Sequence, residues 1–252
     1  TVIGQLTGAI RMRFLTVASD LYGAGEQRFI MKSQLDNEAI ILLSDKYPYF
    51  EELESAMKIR KYIKSRNVAQ LPEAIQNIIR GRQQQASAHE KRAKEYLSDA
   101  ILDAKVYASG ELLQSRHSSV KDKLDSAMGV LVESVYSKLS YVKKNYDSDA
   151  DVWSILNSHN QIATENPNAE ALEEVEQYLS MQSVKLLPTS MGDVHKRFSA
   201  IPYGWREVDI AALIATLIAD SKITAHYAGN VVRNDDRRIT DYLRRKSEID
   251  KT

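Results

Sequence analysis

Apolar positions along this 252-residue chain recur mostly at the three- and four-residue step of helices, and only briefly at the two-residue step of strands. Leu6, Ile10, Phe14, Leu15, Val17, Ala18 and Leu21 form a helical stripe closed by Gly23 and Gly25. Next, Phe29 and Met31 alternate with polar neighbours, LDN supplies turn chemistry and AIILL reads as a short buried strand. Together these predict a β-hairpin. A helix follows from Pro48, with Phe50, Leu53, Met57 and Ile63 on one side and Tyr62 alongside. Its acids come early and its bases late, as the helix dipole prefers. Pro72 opens a long helix marked by Ile75, Ile79, Ala86, Ala93, Leu97, Ala100, Ile101 and Ala104. Over 80–92 the stripe almost vanishes. Such a stretch bridges solvent, lies on a partner, or breaks the helix in two.

VYASGELLQ predicts a strand and turn around Gly110. Ser119 and Asp122 have capping-box spacing. The helix they start carries Leu124, Met128, Leu131, Val135, Leu139 and Val142 at regular steps. YDSDADVW leads to a small helix over 152–156, and the polar NQIATENPNAE, with Pro167, is the expected domain boundary. EALEEVEQYLSMQ is helical, and Thr189 or Ser190 caps a short helix holding Met191, Val194 and Phe198. A Pro202-Tyr203-Gly204 corner then leads into a long helix from Trp205 to about Ser221. ITAHYAGNVV alternates like a strand with a wing at 228–230, and DDRRITDYLRRKSEIDK predicts a charged helix. The expected class is α+β, mostly α-helical. Residues 1–160 form a helical region with a short β-hairpin and a long polar helix, and 168–252 form a winged-helix-like C-terminal module.

Composition narrows the function. Thirty-four bases balance thirty-four acids, which excludes a globally basic nucleic-acid protein but not a local patch. The absence of cysteine excludes disulfides, thiolate metal sites and cysteine nucleophiles, and fits a reducing cytoplasm. No apolar run reaches the roughly 18 residues of a membrane span. TVIGQLTGAIRMRF lacks a signal pattern and an initiator Met, so the expectation is a piece of a longer protein. There is no P-loop, H-E-x-x-H or G-x-S-x-G, and Gly23-Ala24-Gly25 lacks the third glycine of a dinucleotide fingerprint. His89-Glu90 and His195 read as structural, Asp45 as a turn or cap residue, and the EALEEVEQ carboxylates as a solvated helix face. No catalytic, cofactor-binding or metal residue is assigned.

Two features bear on binding. Helix, corner, helix and wing over 187–232 follow the order of a winged helix-turn-helix. A DNA-reading helix needs a polar face, whereas IAALIATLIA is apolar on most of its circumference and reads as a core helix. Phe198, Pro202, Tyr203, Gly204 and Trp205 are then a structural corner. The second feature is the basic set Arg233, Arg237, Arg238, Arg244, Arg245 and Lys246, which faces Asp235, Asp236 and Asp241. A local +3 suits phosphate contact without sequence readout. The other reading is a solvated helix with i,i+4 pairs. Arg80, Arg82, Lys91 and Arg92 on the polar helix pose the same choice.

Several stretches carry a family resemblance in order: AIILLSDKYPYFEELESAMKIRKYIKSRNV, IIRGRQQQASAHEKRAKEYLSDAILDAKVYASGELL, KLDSAMGVLVESVYSKLSYV and VHKRFSAIPYGWREVDIAALIATLIADSKI. The sharpest marks are Lys58-Ile59-Arg60-Lys61-Tyr62-Ile63, Val135-Tyr136-Ser137-Lys138-Leu139, and Phe198 with Pro202-Tyr203-Gly204-Trp205. These resemble the region downstream of the ATPase module in the large P-loop protein of BREX phage-resistance systems, the BrxC/PglY family of ATP/GTP-binding proteins. The resemblance implies a cytoplasmic bacterial or archaeal defence component within a multiprotein complex. This piece would be a non-catalytic accessory or scaffold region that mediates assembly and DNA-backbone contact. ATP and Mg would belong to another part of the parent protein, an ATPase, and no membrane is involved. The alternative is a stand-alone winged-helix-type DNA-binding module.

Overall fold

The AIILL run expected to form a buried strand does so: β2 (Glu38–Leu42) holds Ala39, Ile40 and Ile41 out of solvent. A strand covered on both faces reads as a continuous apolar run rather than an alternating one. A computed structural model describes residues 10–114, 116–157 and 166–252. The chain divides into two units, Thr1–Ser134 and Val135–Thr252. This division falls earlier than the polar stretch around Pro167 that sequence reasoning favoured. The reason is Val152 and Leu156, which bury in the core of the second unit. Residues 158–165, much of that polar stretch, lie outside the described residues.

In the first unit β1 (Arg11–Leu15) pairs with β2 in parallel, β2 with β3 (Lys105–Ala108) antiparallel, and β3 with β4 (Glu111–Leu113) antiparallel. Ile40 stands opposite Arg13 on one side and Tyr107 on the other. Residues 11–15 are a strand, not a helix, and Leu6 of the expected stripe lies outside the described residues. Residues 26–35 are α1 (Glu26–Leu35), not a hairpin arm. Phe29 and Ser33, four apart, bury together while Met31 is 57% exposed. Their alternation therefore marks two sides of a helix. Asn37, at φ 48°, turns the chain from α1 into β2, a left-handed conformation that Asn tolerates. Parallel pairing of β1 and β2 needs a crossover, and α1 supplies it.

The sheet is covered on both faces. Ile40 and Tyr107 pack with Leu15 and Phe29 on one side. Ile41, Leu43 and Val106 pack with Tyr49, Ala100, Ala104 and Ala127 on the other. Ser109 and Gly110, at φ 55° and 82°, form the two-residue turn of the β3–β4 hairpin that the sequence located around Gly110. At the start of β2, Glu38 is fully buried, with Arg13 at 3.0 Å, Lys32 at 3.6 Å and Arg11 at 3.9 Å. A buried carboxylate persists when bases surround it in this way.

α2 (Tyr49–Lys64) and α3 (Glu73–Leu102) fold back on each other. α3 runs unbroken for 30 residues, so the polar stretch 80–92 is no break. Its buried positions are Ile79, Ala86, Ala93 and Ala100, one every seven residues. That is the narrow seam of a helix pair rather than the broad stripe of a helix lying on a core. On α2 the buried residues are Tyr49 and Ala56, whereas Phe50, Leu53 and Met57, expected along one apolar side, are exposed. Arg60 donates two hydrogen bonds to Glu90, both at 2.8 Å. Glu52 holds His89 at 2.6 Å and Arg92 at 3.0 Å. The His89 bond, opposed by burial and joined by Arg92, keeps the Glu52 carboxyl below its ordinary range.

α4 (Val120–Val135) starts at the expected capping residues: the Asp122 amide donates to Ser119 Oγ at 3.1 Å. Within its first turn Lys123 is buried and donates to the carbonyls of Leu102 at 2.6 Å and Ala104 at 2.5 Å. The last carbonyls of a helix have no partner of their own, and Lys123 supplies one at the end of α3. Burial pushes its ammonium below the ordinary value, against the pull of Asp103.

The second unit holds α5 (Asp149–Asn157), α6 (Ala169–Val184), α7 (Met191–Ser199), α8 (Glu207–Ala219), a wing of β5 (His226–Tyr227) and β6 (Asn230–Val231), and α9 (Ile239–Arg244). The wing turns at Ala228 and Gly229, φ 49° and 83°, where the alternation placed it. α8 lies at the centre, packed by α5, α6, α7 and α9. Ser190 and Asp193 cap α7 reciprocally. The expected C-terminal charged helix shrinks to the six residues of α9. Beyond it the chain turns back. The Thr252 carbonyl accepts from Met191 N–H and that of Ile249 from Gly192 N–H, each at 3.0 Å. These bonds satisfy first-turn amides that a helix cannot satisfy itself.

Replacing Lys123 by methionine keeps the packing of its stem but takes the donor from the carbonyls of Leu102, the last residue of α3, and of Ala104 just beyond it. Lys123→Met should lower the unfolding free energy by about 2 kcal/mol, seen as a lower urea midpoint at unchanged slope.

Candidate interaction surfaces

The corner between α7 and α8 is an aromatic interlock. Phe198, Tyr203 and Trp205 are all buried. The Phe198 and Trp205 rings stack at 5.0 Å, 3° from parallel. Tyr203 meets them edge-on at 4.7 and 5.0 Å, geometries that rings favour. The Ile201–Pro202 peptide is cis. Trp205 Nε1 donates to the Lys138 carbonyl at 2.9 Å, and the Lys138 amide donates to the Pro202 carbonyl at 3.0 Å. The Lys138 ammonium binds Glu174, which also accepts from the Tyr203 hydroxyl at 2.8 Å. Burial raises the Glu174 carboxyl, but the bonds from Lys138 and Tyr203 outweigh it and hold the group below its ordinary range. The same Glu174 bond raises Lys138 against its own burial. Gly204 sits at φ +66°, and a Cβ there would stand 2.6 Å from Tyr136 Cδ1. The polar groups of the corner thus bind one another, and the set works as a structural lock. Its partners Lys138 and Glu174 lie 67 residues from Trp205 and 29 from Tyr203, so no local pattern reveals them.

In a winged helix-turn-helix the second helix of the pair reads base edges. Here that helix is α8, and every residue from Val208 to Ala215 is buried, as are Leu217 and Ile218. α8 has no polar face with which to read a groove. It is the core helix that its composition predicted.

The basic C-terminal set is only partly available. Arg233 pairs with Asp235 at 3.0 Å and Arg245 with Asp241 at 2.9 Å. Arg244 pairs with Asp149, the start of α5. The Arg238 guanidinium lies 5.1 Å over the Tyr242 ring. Arg237 and Lys246 are exposed. His195 is buried on α7 with Nε2 at 2.7 Å from the Leu243 carbonyl. A carbonyl only accepts, so Nε2 carries the proton and ties α7 to α9.

One apolar surface stands out in the second unit. Val184 is 81% exposed and Leu186 89%, with Met181 and Leu187 half-exposed beside them. Nearby is a cavity of about 480 Å³ lined by Leu179, Pro188, Met191, Ile214, Ile218 and Ile223, with no Asp, Glu, Lys or Arg in its wall.

Two family models match the chain. Residues 1–131 match the BREX ATP-binding protein BrxC 4th domain with six-stranded beta sheet. Residues 138–252 match the BREX ATP-binding protein BrxC winged helix-turn-helix domain. The chain belongs to the BrxC family. No solved structure matches it. The two matched domains meet near the division between the two units, and the described residues of the first carry four strands. Among the described residues of this BrxC-family chain, no three His, Asp or Glu side chains converge in a metal-binding arrangement. Among the described residues no helix is long and apolar enough to cross a membrane.

Gly204→Ala should destabilise the second unit by about 2–3 kcal/mol, since both the positive φ and the contact with Tyr136 oppose a Cβ; thermal unfolding checks this. Glu174 makes a second prediction. Its folded carboxyl lies below the unfolded value, so its stabilisation is present above an ordinary glutamate pKa of about 4.3 and is lost as pH falls through the lower folded value. The melting midpoint of the native chain should therefore fall more steeply below about pH 5 than that of Glu174→Gln.

Proposed function

We propose that this chain is a non-catalytic assembly region of a BREX ATP-binding protein, holding another subunit of the defence system through the apolar surface at the end of α6. The observation that carries this reading is the exposure of Val184 and Leu186 beside an uncharged cavity. Clustered apolar side chains left in water mark a surface that a partner covers. The wall holds no Lys or Arg to pair with a phosphate, and its apolar side chains, edged by Thr189, Ser190, Thr224 and His226, fit an apolar protein segment with a polar rim. On this reading the ATP and Mg²⁺ sites and the ATPase activity belong to another part of the parent protein, which works in the cytoplasm.

The alternative is a DNA-binding winged-helix module. In its favour stand Arg237, Arg238 and Lys246, exposed and without an acid in ion-pair reach among the described residues. With α8 enclosed, such a module touches phosphates only and reads no sequence.

The double variant Val184→Asp/Leu186→Asp in the full-length parent protein, co-expressed with the other subunits of its system, tests assembly. Both side chains are exposed, so the melting midpoint should stay within about 2 °C of native. Co-elution with a subunit on size-exclusion chromatography should be lost. Undiminished co-elution would sink the proposal.

A further inference from the structure

The neutral total of the chain conceals a segregation of charge. Residues 58–82 carry seven bases and one acid, Glu73, while the rest of the chain holds 27 bases against 33 acids. These residues are the distal end of the α2–α3 hairpin: the end of α2, the turn through Val68–Gln70, and the start of α3. Two of the seven bases are engaged, Lys58 by Glu54 and Arg60 by Glu90. The other five, Lys61, Lys64, Arg66, Arg80 and Arg82, are exposed and without an ion pair among the described residues.

A charged helix surface is usually only a solvated face, and three observations weigh against that here. First, the dipole of α2 accounts for Lys61 and Lys64 in its last turn. It offers nothing to Arg80 and Arg82, which lie toward the N-terminal end of α3. Second, the register of the hairpin brings the two sets to one level along the arm, with Arg80 and Arg82, two residues apart, projecting from different sides of α3. Arg60 meets Ser87 and Glu90, so Lys64, one turn on, stands level with about residue 85, and Arg80 and Arg82 lie within roughly 8 Å along the axis. Third, Tyr62 is 55% exposed, with the Arg66 guanidinium 4.9 Å over its ring. An exposed ring with a cation beside it is a pairing that nucleic-acid surfaces use to stack a base and hold its phosphate.

We propose that the tip of the α2–α3 hairpin is a nucleic-acid contact, gripping the phosphate backbone through Lys61, Lys64, Arg80 and Arg82. Protein surfaces mix both signs of charge, and a patch built for one would mix them too, as the sheet-side end of this arm does with Glu51, Glu52, Lys91 and Arg92. A surface with seven bases and a single acid, Glu73, fits a polymer of one sign. The proposal is independent of the assembly reading, because it lies in the other unit and concerns a different class of partner.

The test is fluorescence anisotropy of the 252-residue chain on a labelled DNA duplex and the matching single strand, at several salt concentrations. Native protein should bind with a log–log salt slope of about −4, near 0.9 per phosphate contacted on duplex. Lys61→Ala/Lys64→Ala/Arg80→Ala/Arg82→Ala should bind at least about 30-fold more weakly at low salt, with a slope shallower by about 3. Arg80→Lys/Arg82→Lys should bind like native, since a phosphate contact asks only for charge. Arg237→Ala/Arg238→Ala/Lys246→Ala should also bind like native. Should the quadruple variant melt early, Arg82→Glu alone carries the same test. Absence of binding to either strand form at low salt overturns the proposal, as does binding lost in the tail variant and kept in the arm variant. Binding to polyglutamate but to neither DNA overturns it in favour of an acidic protein partner.

Discussion

α8 carries apolar side chains around most of its circumference, and a helix of that kind is stable only when enclosed. The layout of the second unit follows from this constraint. α5, α6, α7 and α9 are the walls of the enclosure. The chain must pass from the end of α7 into the centre within the seven residues between Ser199 and Glu207. The stacked Phe198 and Trp205, with Tyr203 set across them, make that passage rigid. Enclosure also decides what the module is not. A helix with walls on every side cannot lie in a DNA groove, so a helix-turn-helix order here does not imply sequence readout.

Much of this was legible in the residues. The apolar excess of α8, the Ser190 cap, the wing at Ala228 and Gly229 and the hairpin at Gly110 each rest on a local rule that tertiary structure had no cause to override. The misreadings have equally local causes. Phe29 and Met31 sit two apart, which fits one face of a strand or opposite sides of a helix. Only the burial of Ser33 beside Phe29 decides for the helix. β1 presents Arg11 and Arg13 because the buried Glu38 on the neighbouring strand needs them, a demand no window of residues 6–21 contains. The long polar helix looks thin over 80–92 because within that stretch its seam is the single Ala86, and the seam as a whole, Ile79, Ala86, Ala93 and Ala100, is mostly alanine at a seven-residue interval.

Charge was the hardest part to read. The C-terminal bases were counted against nearby acids, yet Asp149, which holds Arg244, lies 95 residues away. The bases at the end of α2 had a sufficient local explanation in the helix dipole, and that explanation hid their proximity to Arg80 and Arg82. Local charge counts fail at both ends for one reason: ion pairing is a property of the folded surface, whereas a count along the chain sees neighbours in sequence only.

The way the tail closes α7 bears on how the molecule is made. The Met191 and Gly192 amides wait for the carbonyls of Thr252 and Ile249, about sixty residues later in the chain. Asp250 then settles against Gly192, where there is no room for a larger residue. On a ribosome, α8 therefore emerges before α9, one of its walls, and its apolar surface stays open until the segment through Thr252 has cleared the exit tunnel. Closure depends on contacts that are remote in sequence, which slows folding and leaves a sticky intermediate in the meantime. The second unit thus closes only once its last segment, 249–252, has emerged, and the interval before that is when a chaperone has a helix to hold.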